Sequence, residues 1–308
     1  MSSIQERIAA IPLEALDRVE KVITHAGCPD GIASAMLLRR ALPEVPIEFV
    51  YHGTPEHRQR PCAALFCDFS PPAENAQEWV DAGAIVLDHH ATARSVVELF
   101  RDRGVYADEV SDPGYSGAML ALALMEWRGF YSLQSREFAR LAGIRDTWQK
   151  DHRDFERACW QASALTFFPV GDLIQQPPYL SGDQIGVGRL IYERRRTKAV
   201  KLAYELEGYR DGPYEFLLFN DSLDKLTSDV GEAVRTVRPD YHFVAGFFYT
   251  DSGQLVFSLR SVADGCDVAR IAKANGGGGH TRAAGFQAEE GFVDAPIEAL
   301  RRALGRVS

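Results

Sequence analysis

Ile85-Val86-Leu87-Asp88-His89-His90 is the stretch on which the fold turns. Three aliphatic residues run directly into an acid and two imidazoles, and the small residues Ala91 and Thr92 follow. An apolar run this short, bounded by groups that cannot share its surroundings, reads as a strand of a parallel sheet. The three polar groups then stand at its carboxyl end, where open α/β sheets gather their ligand sites. A carboxylate beside neutral imidazoles suits Mn²⁺, Fe²⁺ or Zn²⁺. The ordinary alternative is a strand-end turn with incidental polar residues.

Upstream, the same signature recurs. Residues 22–25, 47–51 and 63–67 are strand candidates, each followed by polar or turn-forming residues, and 33–42 and 73–82 carry helical spacing. Residues 26–31 (Ala-Gly-Cys-Pro-Asp-Gly) read as a loop by composition, and residues 4–20, apolar at Ile8, Ile11, Leu13, Leu16 and Val19, predict one leading amphipathic helix. Repetition of strand, polar loop and helix is the mark of a parallel α/β sheet flanked by helices.

Downstream the pattern becomes helical over 116–127, 134–149 and 184–206, the last with a basic face of Arg194, Arg195, Arg196, Lys198 and Lys201 that reads as solvated. Residues 208–213 (Gly-Tyr-Arg-Asp-Gly-Pro) break it. Beyond them, strands are expected over 214–220, 241–249 and 255–260, with a hairpin turn at Thr250-Asp251-Ser252-Gly253. Helices are expected over 228–237, 268–274 and 296–307, and a last strand near 283–286. The expected organisation is an N-terminal domain over 1–181, a helical connector over 182–213 and a smaller C-terminal α/β domain with a mixed sheet over 214–308.

Bulk properties agree. A length of 308 residues suggests two domains, and 46% hydrophobic with 25% charged residues is a soluble globular composition. A net charge of −9 disfavours a protein that coats long nucleic acid. Five scattered cysteines without a Cys-x-x-Cys pair indicate neither a disulfide framework nor a zinc ribbon. The N-terminus lacks a signal-peptide pattern, and the most apolar window, residues 118–125, is too short to span a bilayer, so a cytoplasmic protein without membrane association is expected.

Acids and imidazoles stand at successive element ends: His25 and Asp30 around the loop after the first strand, Asp68 after another strand, Asp88-His89-His90, and Asp146 near a helix end. Ligands at the ends of neighbouring parallel strands converge on one crevice. Each has a plainer use: a turn residue for Asp30, a helix cap for Asp68, an ion pair with Arg145 or Lys150 for Asp146, a core histidine for His25. Their joint occurrence favours a pair of divalent ions, which polarise a phosphoryl oxygen and stabilise a leaving oxygen. Farther on, Asn275-Gly276-Gly277-Gly278-Gly279-His280 cannot sit inside a helix, where each glycine costs about 1 kcal/mol relative to alanine. Four glycines let backbone amides approach an anion closely, and Arg260 offers a forked donor to phosphate.

Six segments together resemble the DHH–DHHA1 phosphoesterase superfamily over nearly the whole chain. They are Thr24-His25-Ala-Gly-Cys28-Pro-Asp30-Gly31-Ile-Ala-Ser34-Ala, Cys67-Asp68-Phe-Ser, Leu87-Asp88-His89-His90, Ala142-Gly-Ile-Arg-Asp146-Thr-Trp, Ser258-Leu-Arg260-Ser, and Gly276-Gly-Gly-Gly-His280-Thr-Arg-Ala-Ala-Gly285. The short build is similar to nanoRNases and related dinucleotide phosphodiesterases. The resemblance implies a Mn²⁺-dependent phosphodiester hydrolase, with Mg²⁺, Fe²⁺ or Co²⁺ as other metals, acting between two domains on short single-stranded oligonucleotides or linear dinucleotides rather than long duplex DNA. It implies Asp68 bridging two metals, Asp30, His89, Asp146 and His25 as further ligands, Asp88 orienting an imidazole, and His90 beside the scissile phosphate. Arg260, Gly277, Gly278, Gly279 and His280 would hold the substrate's terminal phosphate or nucleotide. A homodimer is compatible with this reading. One departure stands out: the family commonly carries two acids in its first loop, spaced by one residue, whereas here Cys28 and Ile32 flank Asp30 at that spacing. Two other readings remain open on this sequence, a phosphatase for nucleoside bisphosphates such as pAp and a non-catalytic nucleotide-binding protein.

Overall fold

A computed structural model describes residues 3–51, 60–108, 110–223, 225–250, 252–289, 291–292 and 294–307, with the side chain of His280 outside that description. The chain divides into two compact units, Met1–Tyr192 and Glu193–Ser308.

In the first unit, β1 (Lys21–His25), β2 (Ile47–Val50), β3 (Ala64–Cys67), β4 (Ile85–Asp88) and β5 (Gly104–Tyr106) form an all-parallel sheet in the order β2-β1-β3-β4-β5. The apolar runs are continuous because both faces are covered. On one face Val22, Leu65, Cys67, Ile85, Leu87 and Val105 pack in a cluster that includes residues of α1 (Ile4–Ala9), α2 (Leu13–Asp17) and α3 (Pro29–Ala41). The alternate residues Ile23, Ala64, Phe66 and Val86 pack on the other face with α4 (Ala76–Asp81) and α5 (Arg94–Leu99). Period-two alternation between two apolar environments is what a covered parallel sheet demands. Four longer helices, α6 (Gly117–Trp127), α7 (Leu133–Asp146), α8 (Phe155–Phe167) and the start of α10 (Gly182–Glu205), with the single turn α9 (Val170–Leu173), complete the unit. Strand order reverses direction between β1 and β3, and the carboxyl ends there form the crevice that such sheets use for ligands.

The second unit contains a mixed sheet in the order β10-β11-β9-β8-β7-β6, from β6 (Gly208–Asp211), β7 (Tyr214–Asn220), β8 (Phe243–Tyr249), β9 (Leu255–Ser261), β10 (Gly278–His280) and β11 (Ala283–Gln287). β7 and β8 pair in parallel and the other neighbours are antiparallel. Phe216, Phe243, Phe257 and Leu259 face α12 (Val268–Ala274) and α13 (Pro296–Leu304), whereas Leu217, Phe219 and Val244 pack with α11 (Thr227–Val237) and with Ala199 and Ala203 of α10.

Several local expectations are corrected. The leading helix is two helices, because Pro12 cannot continue the first and instead caps α2. Residues 29–31 are not loop: α3 begins at Pro29, whose missing N–H costs nothing in a first turn, so Asp30 and Gly31 are helical. Residues 91–106, left without an element by periodicity, hold α5 and the short β5, and α8 was likewise unanticipated. Residues 208–211 form a strand, because Gly212 at φ 53° turns the chain into a hairpin with β7. Part of the glycine run is strand as well. The expected turn at 250–253 closes with the Thr250 amide donating to the Gln254 carbonyl at 2.9 Å; Asp251 lies outside the described residues.

On the α4/α5 face, Trp79 meets Phe66 edge-to-face at 4.9 Å between ring centroids, with both side chains buried. Trp79→Ala removes the largest side chain of that layer and is expected to cost about 3–5 kcal/mol, read as a lower urea midpoint at unchanged slope.

Candidate metal centre

The carboxyl ends of β1, β3 and β4 and the ends of two helices bring seven of the sequence-predicted groups together. His25 closes β1, Asp88 closes β4, and Asp68 follows β3 directly. Asp30 lies in the first turn of α3 and Asp146 at the last residue of α7. Asp30, Asp68 and Asp88 are buried, and His25, His89, His90 and Asp146 are partly open to solvent. His89 Nε2 lies 3.2 Å from Asp68 Oδ1 and 3.3 Å from Asp146 Oδ2. Three sets of ligand atoms each lie within 4.8 Å of one another: His25, Cys28 and Asp68; Asp68, His89 and His90; and Asp30, His89 and Asp146. Asp68 belongs to two of these sets and His89 to two.

Local backbone devices hold the carboxylates in place. Asp68 has φ 57°, a left-handed conformation uncommon outside glycine but one that aspartate adopts more readily than most residues. Asp30 accepts a 2.7 Å hydrogen bond from the Ser116 hydroxyl and further bonds from the Ala118 amide at the start of α6. Gly117 lies between: a Cβ there would come within 2.3 Å of Asp68 Cβ and 2.9 Å of Asp30 Oδ2. A Cβ on Gly31 would likewise meet the His25 carbonyl at 2.3 Å. Asp88 is a different kind of acid. It accepts from the Ser70 hydroxyl, from the amides of His89 and His90, and bonds His90 Nδ1 at 2.7 Å. It therefore fixes the DHH turn itself and orients the His90 ring.

Protonation equilibria separate the groups. Burial, together with mutual repulsion, pushes Asp30 and Asp68 up, and burial with the Asp30 charge raises Asp146 to about 6. Burial would also raise Asp88, but the bonds from His90 and Ser70 outweigh it and hold it at about 2. Burial disfavours a charged His89, yet the hydrogen bond to Asp68 and the surrounding carboxylates overcome this and raise it to about 10. His90 rises to about 9 through Asp88 against the same opposition. Burial and the His90 charge depress His25. Three crowded carboxylates, with an imidazolium drawn in among them, describe a site that lacks positive charge.

The donor set fits divalent metals. Asp68 Oδ2 is buried and has no hydrogen-bond partner among the described residues, a costly state for a carboxylate oxygen that a coordinating cation would relieve. Carboxylate and imidazole donors suit Mn²⁺, Fe²⁺, Co²⁺ or Zn²⁺. His25, Asp30, Asp68, His89 and Asp146 are the groups that would hold a pair, with Cys28 beside them.

In the second unit, Arg260 of β9 donates to the Ser228 and Ser258 hydroxyls at 3.0 and 3.1 Å, and to the Leu259 carbonyl. Gly231 of α11 leaves room for it; a Cβ there would meet Arg260 Cβ at 2.8 Å. Register aligns His280, Ala283 and Arg260 across β10, β11 and β9; the His280 side chain lies outside the described residues. The glycine run is an edge strand as much as a loop. Gly277 and Gly279 would clash with β11 if they carried a Cβ, whereas Gly278 faces open space. The sequence-based idea of four freely exposed amides is corrected accordingly, because Gly278 and Gly279 pair with Gly285 and Ala284.

Comparison with known proteins fits this architecture. Residues 218–306 match the DHHA1 domain family. An exopolyphosphatase-related protein from Bacteroides fragilis superposes over 98% of this chain and 96% of its own, with a TM-score of 0.58 and 14% identity. The RecJ structure in complex with Mn²⁺ from Thermus thermophilus gives 0.57 at 16% identity over 99% of this chain, which spans 55% of that one. The C-terminal part of the chain is thus similar to the DHHA1 domain, and the chain as a whole shares the fold of these structures. A pGpG-specific phosphodiesterase from Vibrio is also similar, at a TM-score of 0.46 and 13% identity over 94% of this chain and 99% of that one. No curated protein matches the sequence.

Sequence reading missed Ser70, Ser116 and Gly117, the residues that cradle the acids. Ser116 and Gly117 lie at a helix start, which signals a cap but not which carboxylate it serves. No helix among the described residues is long and apolar enough to cross a membrane.

Two outcomes follow from the geometry. Gly117→Ala is expected to weaken Mn²⁺ binding at least about tenfold by calorimetry, because the added methyl displaces both Asp68 and Asp30. Affinity should also rise with pH from about 6 toward 10, since acidification neutralises Asp146 and keeps His89 protonated, and neither form donates to a metal. Proton release on binding, read from calorimetry in buffers of different ionisation enthalpy, checks that sign.

Proposed function

We propose that the protein is a metal-dependent phosphodiesterase that cleaves short oligonucleotides or linear dinucleotides to nucleoside monophosphates. The observation that carries this reading is the convergence of Asp30, Asp68, His89 and Asp146 around a buried carboxylate oxygen that has no hydrogen-bond partner among the described residues. Two bound divalent cations, Mn²⁺ first among them, supply Lewis-acid charge stabilisation at the phosphoryl group. Asp68 would be shared by both ions, Asp30, His89 and Asp146 would hold one of them, and His25 the other.

The chain's own groups do the rest. Asp88 holds His90 through Nδ1, which leaves Nε2 to give a proton. The Asp88 carboxylate favours the protonated form of that ring. Attack of water at phosphorus breaks the bond to the 3′ oxygen; the water's proton passes to solvent, and His90 protonates the leaving oxygen. In the second unit, Arg260, the backbone of Gly277–Gly279 and His280 are the candidate phosphate-binding groups. The net charge of −9 supports small substrates, since a long polyanion gains little from such a surface.

Purified protein with Mn²⁺ is expected to convert pGpG, pApA and short RNAs to mononucleotides, and Asp68→Ala to lower the rate at least about a hundredfold. Turnover of pApA should exceed that of pAp; the reverse order would instead make the protein a bisphosphate phosphatase. Intact dinucleotides after incubation with the metal-loaded wild type would sink the reading.

A further inference from the structure

Cys28 occupies a position where the chemistry of the centre becomes asymmetric. It is the N-cap residue of α3, yet its side chain makes no capping hydrogen bond. Instead its Sγ, a His25 ring nitrogen and an Asp68 carboxylate oxygen all lie within 4.8 Å of one another, close enough for one ion to touch all three. Asp68, 1% exposed, contributes a buried Oδ2 without a hydrogen-bond partner among the described residues. On the opposite side the set is Asp30, His89 and Asp146, with no sulfur. Ile32, the other residue two positions from Asp30, is 2% exposed in the core and supplies no donor.

We infer that Cys28 is a metal ligand, so that the centre holds two unlike ions: one in a thiolate, imidazole and carboxylate set, the other in a carboxylate and imidazole set. This deepens the phosphodiesterase reading and rests on its metal pair. On binding, the thiol proton passes to solvent and a sulfur–metal bond forms, with no change of oxidation state. Thiolate donors favour Fe²⁺, Co²⁺ and Zn²⁺ over Mn²⁺ and Mg²⁺, which prefer oxygen. The His25–Cys28–Asp68 position is therefore selective for the softer ions, and the Asp30–His89–Asp146 position accepts Mn²⁺ or Mg²⁺. Among the described residues, Cys67 is near but donates to the Gly117 carbonyl at 3.4 Å and belongs to the sheet interior.

The test is Co²⁺ titration of the full-length protein, followed by absorption spectroscopy and metal analysis without any substrate. A near-ultraviolet thiolate-to-Co²⁺ charge-transfer band is expected to grow with one of two bound equivalents. Cys28→Ser should abolish the band and weaken that equivalent at least about tenfold, with the fold verified by circular dichroism. Cys28→Asp should lose the band and bind Mn²⁺ at both positions, a gain that a merely disrupted site would not give. Asp146→Asn should keep the band while losing the other equivalent. Two Co²⁺ bound without a charge-transfer band, or an unchanged band in Cys28→Ser, would overturn the inference and leave the phosphodiesterase reading standing. A band without hydrolysis of any dinucleotide would do the opposite.

Discussion

Three carboxylates confined in a region largely screened from water govern the first unit. Asp30, Asp68 and Asp146 cannot all be ionised there without compensation, because burial and mutual repulsion act in the same direction. Much of the neighbouring structure answers that constraint. The start of α6 directs an amide and a hydroxyl at Asp30. His89 reaches between Asp68 and Asp146. Asp88, satisfied by four donors from Ser70, His89 and His90, stands apart from the electrostatic problem and organises the turn that carries both imidazoles.

Much of this was legible in the sequence, for a definite reason. Covered parallel strands must be apolar on both faces, so an abrupt change from Ile-Val-Leu to Asp-His-His can only be a strand end. With the same change after Cys67 and near His25, a shared crevice at the strand ends was expected, whereas the strand order came only with the structure. What remained illegible depended on contacts distant in sequence. Ser116 and Gly117 are separated from Asp30 by more than eighty residues, and no local pattern ties them together. Pro12 and Pro29 act in opposite senses that composition does not distinguish: the first separates two helices, and the second opens one. β5, three residues long, was too short for periodicity to register.

The second unit teaches a complementary lesson about glycine. Four consecutive glycines suggested freedom, but two of them answer to crowding. Gly277 and Gly279 lie so close to β11 that no side chain fits, whereas Gly276 and Gly278 face open space. Arg260 depends on glycine in the same manner, with Gly231 yielding the space its stem occupies. A basic residue expected to meet phosphate is thus pre-positioned by two serine hydroxyls and a carbonyl before any ligand arrives.

Asp68 holds its carboxylate on a backbone that glycine or asparagine would occupy at lower conformational cost. Selection on thermal stability alone would therefore tend to erode this residue, and only selection on what the carboxylate does can retain it. The same position links stability to the carboxylate cluster: a glycine or asparagine there is expected to leave a folded protein with an intact sheet and one buried charge fewer.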